Sequence, residues 1–388
     1  MYILYRKEFK YKMKKVLILY ACYGGGHISA ANSIQECINQ NYKDIEVISL
    51  DFMEHLSKTI DKVTTTAYEE MAKKAPALWG KVYMRSEKGA LAEVSTNSNK
   101  ILAIKLHIYI KKLKPDYIIS THPFSSQMCA YLKKKGRLAN VKLATVMTDF
   151  APHDQWLVGS DYIDNFFVAH DTMKQTLITK GVSADKVFAT GIPLSSRFLL
   201  NFDKNKIIED FGLEKDRFTI LYFAGGRFGL GRKNTYKLFE ELCKYYDNAQ
   251  IIAVSGKNKV MYNSFRATVS KYNRNHDIKV LEFTDKVPEL MYISDIVISK
   301  PGGLTTSESL ASGLPMLIIN PIPGQEEQNA EFLESNKLGY WIKKHDNALG
   351  VIFKVTTNQD LLNTLKLNVK KFAKRNSTQD ICNILFKE

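Results

Sequence analysis

Cysteine is scarce in this chain: five thiols (Cys22, Cys37, Cys129, Cys243 and Cys382) stand far apart in 388 residues, with no C-x-x-C pair. Such spacing offers no disulfide framework and no zinc or iron–sulfur ligand set, and it fits reduced structural thiols. No apolar run reaches the roughly 18 residues that a membrane-crossing helix needs, and none has the layout of a signal peptide, so a cytoplasmic protein is expected. Internal repeats and low-complexity segments are missing too. With 45% hydrophobic residues, and 21 Gly and 10 Pro scattered along the chain, disordered and collagenous classes are excluded. The last deficit is acid. Asp and Glu number 40 against 55 Lys and Arg, a net charge of +15, which speaks of nucleic acid, an anionic membrane or phosphorylated ligands as partners and not of fold.

The basic excess is uneven. Residues 1–200 carry 28 basic and 18 acidic side chains, and residues 101–150 alone hold 9 and 2. The length predicts two domains. Residues 1–12 stand ahead of Met13 and the first clear strand and read as a short extension or an upstream start. From Lys15 onward, short apolar runs alternate with helix-length segments: VLILYACY, IEVISL (45–50), DYIIST (116–121), KLATVMT (142–148), NFFVAH (165–170) and KVFATG (186–191). After a charged stretch the alternation restarts with FTILYFAGG (218–226), AQIIAVSG, DIKVLEF, DIVISK and PMLIINP. Continuous apolar strands separated by helices indicate parallel sheets covered on both faces. The helix after FTILYFAGG carries Tyr236, Phe239, Cys243 and Tyr246 on one stripe. The expected fold class is therefore α/β: two doubly wound, Rossmann-like units, residues 1–198 and 199–388, facing a cleft, with the last helix able to pack back on the first unit.

Three Gly-rich turns mark the strand ends. In Tyr23-Gly24-Gly25-Gly26-His27, glycines admit a close ligand and a new helix presents its N–H groups. The pattern is not G-x-G-x-x-G, which makes a dinucleotide weak. His27 is either a general base for an attacking hydroxyl or a capping, positioning histidine. The second turn, Ala224 to Arg232, has Gly225, Gly226, Arg227, Gly229 and Gly231 between strand and helix, a context that cradles a diphosphate, without the Gly-Lys-Ser/Thr of a P-loop. The third, Ser299-Lys300-Pro301-Gly302-Gly303-Leu304-Thr305-Thr306-Ser307-Glu308, offers a second anion-binding helix start, and Glu308 suits the two hydroxyls of a ribose. Gln325 and Glu326 open a later helix and would face a polyol; an ordinary solvated first turn is the plainer alternative.

Taken in order, YGGGHISAA, VMTDFAPHDQW, GIPLSSRF, KPGGLTTSE and NPIPGQEEQNA resemble the glycosyltransferase family 28 lipid enzymes, the monogalactosyldiacylglycerol synthases and processive diacylglycerol glucosyltransferases, from about Lys14 onward. The resemblance implies a GT-B architecture. It implies transfer of a hexose, with inversion, from UDP-glucose or UDP-galactose to the 3-hydroxyl of diacylglycerol, with no tightly bound metal or other cofactor. It places His27 as the acceptor-side base, and Asp149 as a residue that orients His27, accepts from it or forms the acceptor site. Gly25, Gly26, His153 and Trp156 fall on the acceptor side. Gly225 through Gly231 match the diphosphate loop, Phe283 and Thr284 the uracil segment, Gly302, Gly303, Leu304 and Thr305 the phosphate-binding helix start, Glu308 the ribose carboxylate, and Gln325 and Glu326 the hexose contacts. Arg227-Phe228 departs from many relatives.

A lipid acceptor directs attention back to the charge. In KKAPALWGKVYMRSEK (73–88), Trp79 and Tyr83 stand beside Lys81 and Arg85, a pattern suited to a monotopic contact with anionic lipids at the cytoplasmic face of the membrane; packing of the two rings in the core is the alternative. The helix near 101–113, with Ile101, Ile104 and Ile108 flanked by Lys105, Lys111 and Lys112, is assigned to the core. Two other readings compete. One is a GT-B transferase on another lipid-linked acceptor, of the peptidoglycan-precursor N-acetylglucosaminyltransferase type. The other is a nucleic-acid binder, for which the chain has no fold signature or stacking motif, so no nucleic acid is expected.

Overall fold

The computed structural model describes residues 13–22, 25–56, 90–224 and 232–387. Two six-stranded, all-parallel sheets organise the chain. The first has the order β2-β1-β3-β4-β5-β6, built from β1 (Lys14–Tyr20), β2 (Ile45–Asp51), β3 (Tyr117–Ser120), β4 (Lys142–Val146), β5 (Asn165–Phe167) and β6 (Val187–Phe188). The second has the order β12-β11-β10-β7-β8-β9, from β7 (Thr219–Phe223), β8 (Gln250–Val254), β9 (Ile278–Leu281), β10 (Ile296–Ser299), β11 (Met316–Ile318) and β12 (Gly339–Trp341). Val16 to Leu19 and Ile251 to Val254 are buried along their whole length, because helices cover both faces of each sheet. The apolar runs read from the sequence are these strands. The three-residue edge strand β12 had no such signal.

Strand order reverses beside β1 and β3 in the first sheet and beside β7 and β10 in the second, and ligands in such sheets bind at the carboxyl ends where this happens. Four connections therefore matter: β1 to α1 (Gly25–Asn41), β3 to α3 (Pro123–Lys134), β7 to the helix starting at Arg232, and β10 to α4 (Gly303–Ala311). Helix α1 begins two residues before His27, so that histidine lies in its first turn. Phe239, Cys243 and Tyr246 are buried in the second unit, as their spacing indicated.

Helix α2 (Ala90–Leu113) corrects the sequence reading. Ile101, Ile104 and Ile108 are not core residues: they are 66%, 49% and 71% exposed, while Ala103, Leu106 and Ile110 are buried. Both triplets have i, i+3, i+7 spacing. Periodicity finds the stripe but cannot say which of two apolar stripes packs inward.

The chain returns to the first unit at its end. Ile381, Cys382, Leu385 and Phe386 of α6 (Ser377–Phe386) share a core with Ile34 and Ile38 of α1, and the Phe386 ring packs edge-on at 5.3 Å from Tyr42. The return is pinned where Leu194 N–H donates to Thr378 Oγ1 at 2.8 Å while that hydroxyl donates to Leu194 O at 2.7 Å. Thr378→Val should cost about 1–3 kcal/mol in a urea unfolding experiment, since a buried N–H is left unmatched. Thr378→Ser, which keeps the hydroxyl, should stay close to the parent; equal losses would contradict the assignment.

Candidate active site

Adjacent β1 and β3 bring His27 and the segment after Ser120 together. His27 Nδ1 lies 2.6 Å from the carbonyl oxygen of Thr121 and 3.0 Å from Thr148 Oγ1, and Thr121 Oγ1 donates back to His27 O at 3.0 Å. A carbonyl can only accept, so Nδ1 carries the proton and Nε2 is left as the basic nitrogen. Burial pushes the His27 pKa down to about 4, against the opposing pull of the Thr121 carbonyl, so the ring is neutral at pH 7.

A second histidine completes this pocket. His122 packs edge-on against His27 with ring centroids 4.7 Å apart, and its Nδ1 caps α3 by accepting the Phe124 N–H at 3.2 Å. Burial first, and His27 second, hold its pKa well below the usual histidine value. Sequence reading missed His122, although a His-Pro directly after an apolar strand is a helix-start signal at a sheet end. Trp156 is a core residue whose ring lies 6.4 Å from that of His27; His153 is buried and caps the short helix Asp154–Leu157 through Nδ1. Of the two, Trp156 is the one whose ring approaches His27. At Gly25 and Gly26 a Cβ would meet nothing within 4 Å, so among the described residues no packing demands glycine there.

Asp149 does not orient His27 through Nδ1; Thr121 and Thr148 occupy that nitrogen. Its carboxylate turns to the other unit and hydrogen-bonds with Gln325 and Asn329, and burial, helped by Glu326, raises its pKa to about 6. The neighbouring backbone makes the junction between the units. Phe150 N–H donates to Asn329 Oδ1 at 3.0 Å and Asn329 Nδ2 donates to Pro301 O at 2.9 Å. A Cβ at Gly303 would stand 1.9 Å from Thr148 O, so only glycine permits this approach. His170, stacked on Phe332 at 4.1 Å, donates from Nε2 to Phe150 O and secures the same loop. Asn329, fully buried, was also missed; it sits one turn beyond Gln325 and Glu326 in α5 (Gln325–Ser335), within a motif read only for its first residues.

On the donor side, Gly302 has no side chain with which to cap α4, so the N-cap position supplies no hydroxyl or carboxylate to the first-turn N–H groups of Gly303, Leu304 and Thr305. Glu308 lies half-buried further along α4, and burial pushes its pKa up to about 8. Glu326 accepts the Ile322 N–H at 2.7 Å and is raised by burial against the pull of Lys300. Lys300, a residue the motif reading left unassigned, is lowered by burial and steadied by Glu326. Phe283 is 65% exposed beyond β9 with Lys257 Nζ over its ring at 5.1 Å, and Thr284 Oγ1 accepts the Lys286 N–H. The diphosphate-loop positions Gly225, Gly226, Arg227, Gly229 and Gly231 lie outside the described residues, as do Trp79, Lys81, Tyr83 and Arg85.

The family model described as monogalactosyldiacylglycerol (MGDG) synthase matches residues 27–194, and the glycosyltransferase family 28 C-terminal domain matches residues 233–383. A processive diacylglycerol beta-glucosyltransferase of Bacillus licheniformis is 30% identical over 95% of this chain and 93% of its own. The chain belongs to glycosyltransferase family 28. The protein of the same description from Bacillus subtilis is 29% identical over 97% of this chain and 95% of its own. Acinetobacter baumannii MurG superposes with a TM-score of 0.65 at 15% identity over 97% of this chain and all of its own, and the S. aureus MnaA–UDP co-structure with 0.63 at 15%, covering 96% of each. At that identity the likeness shows the fold alone: the two-domain GT-B architecture of this family 28 glycosyltransferase.

Gly303→Ala tests the junction. One apolar cluster, with Phe150 on one side and Leu333 on the other, runs through both units, so the melting temperature should fall, and small-angle scattering should show a larger radius of gyration as the Thr148 carbonyl is forced away. An unchanged scattering profile would contradict the contact.

Proposed function

We propose that the protein is an inverting, peripheral-membrane transferase that moves a hexose, glucose or galactose, from a UDP-sugar to the 3-hydroxyl of 1,2-diacylglycerol, making glycolipid at the cytoplasmic face. The observation that carries the reading is the placement of a neutral histidine with a free Nε2 across the junction from an uncapped helix start. The similarity to diacylglycerol beta-glucosyltransferases supports the acceptor class and favours glucose.

In this reading the acceptor hydroxyl gives its proton to His27 Nε2 as its oxygen attacks the anomeric carbon, and the bond to the UDP oxygen breaks on the opposite face. Charge grows on the diphosphate as that bond breaks. The N–H groups opening α4, with Lys300 at the same end, stabilise the transition state more than the ground state, and no metal is called upon. In the same reading Gln325 and Glu326 contact the hexose, and Glu308 takes the ribose hydroxyls.

Purified protein incubated with diacylglycerol vesicles and either UDP-sugar should yield hexosylated lipid from at least one, resolved by thin-layer chromatography; no product from either would overturn the reading. His27→Ala should reduce turnover about 10²–10⁴-fold while UDP affinity persists. Near-normal turnover would remove His27 from the role of base.

Glu308 supplies a pH test. Its free-state pKa near 8 means that it is largely protonated at pH 7. Ribose hydroxyls donating to the carboxylate would lower that pKa, so binding releases a proton and UDP affinity rises with pH up to about 8. Calorimetry in buffers of different ionisation enthalpy should detect the released proton, and Glu308→Gln should abolish the dependence; a dependence that survives in Glu308→Gln would exclude this role.

A further inference from the structure

We propose that the outward face of α2 is the surface by which the protein docks on an anionic lipid leaflet, with Ile101, Ile104 and Ile108 entering the headgroup boundary and lysines gripping the anions. The proposal rests on the lipid-acceptor reading for its choice of partner, and on the exposure of these side chains for its location. Three large β-branched residues at 66%, 49% and 71% exposure on one helix face are costly to leave in water. At 3.6 residues per turn they lie on the far side of α2 from Ala103, Leu106 and Ile110, which are buried against the first unit. The helix is thus apolar on two opposite faces, and among the described residues only one of them is buried.

Charge completes the pattern. On the same helical wheel, Lys105 and Lys112 fall on one flank of the isoleucine stripe and Lys100 and Lys111 on the other; all four are exposed. Residues 100–114 contain no Asp or Glu. An apolar stripe between rows of lysine is the layout of a helix lying in a membrane interface, and among the described residues no helix is long and apolar enough to cross the bilayer. A two-fold contact between copies of the chain through this face would set lysines against lysines, so a second copy is the poorer occupant. The position also suits the chemistry. Helix α2 packs on α3, whose first residues carry His122 against His27, so a leaflet beneath α2 is separated from the proposed base by one helix layer.

The test is vesicle flotation of the full chain. The wild type should float with phosphatidylcholine vesicles containing phosphatidylglycerol, less so at high salt, and poorly with phosphatidylcholine alone. Changing Ile101, Ile104 and Ile108 together to Ser should weaken partitioning about tenfold or more. Changing Lys105, Lys111 and Lys112 to Gln should remove the preference for anionic vesicles. Melting temperature and UDP affinity should be unaltered in both variants, which keeps the comparison valid. Flotation of both variants like the wild type, salt-insensitive binding to neutral vesicles, or an effect of the serine variant on oligomeric state alone would overturn the proposal. Failure to hexosylate any diacylglycerol, with stripe-dependent flotation intact, would overturn the functional reading and leave the docking surface standing.

Discussion

The structure turns on one residue pair at the junction of its two units, Thr148 and Gly303. Because position 303 has no side chain, the Thr148 carbonyl comes against the first turn of α4, and the hydroxyl of the same threonine lies 3.0 Å from His27 Nδ1. A single residue at the end of β4 thereby spans from the histidine that would accept a proton to the helix start that would hold the leaving diphosphate. Asn329, bonded to Phe150 on one side and Pro301 on the other, holds that residue's neighbours in place. The chemistry proposed for the two sheets needs this registration, since misplacement of reacting groups by about an ångström costs orders of magnitude in rate.

The electrostatics of the cleft follow from burial. Burial lowers His27 and Lys300 and raises Asp149, Glu308 and Glu326, so every one of these groups is pushed toward its uncharged form. In the proposed reaction a diphosphate would meet N–H dipoles that need no reorganisation and little competing charge. The basic excess of the chain lies partly elsewhere, along α2, where it faces outward. Charge balance and site chemistry are thus separate features of this sequence.

Much of this was legible beforehand, for definite reasons. Parallel strands buried on both faces are written as unbroken apolar runs, so the strands stood out, apart from the three-residue β12. Gly-rich turns directly after such strands marked three of the four connections at the reversal points. What stayed hidden depended on direction. Asp149 follows β4 as expected, yet whether its carboxylate turns toward His27 or toward Gln325 is a matter of backbone twist that no spacing encodes. Helix α2 carries two apolar stripes with one period, and only packing shows which is inside. His122 was overlooked because its partner, His27, is 95 positions earlier and becomes a neighbour only through the pairing of β1 with β3.

The central claim is a single displacement across the closed junction, with His27 on the acceptor side and the diphosphate held opposite. The measurement that addresses it most directly is the anomeric configuration of the glycolipid product, read by proton NMR from the first sugar transferred. An α-linked UDP-hexose should give a β-glycoside. An α-glycoside would mean retention, and would contradict the account.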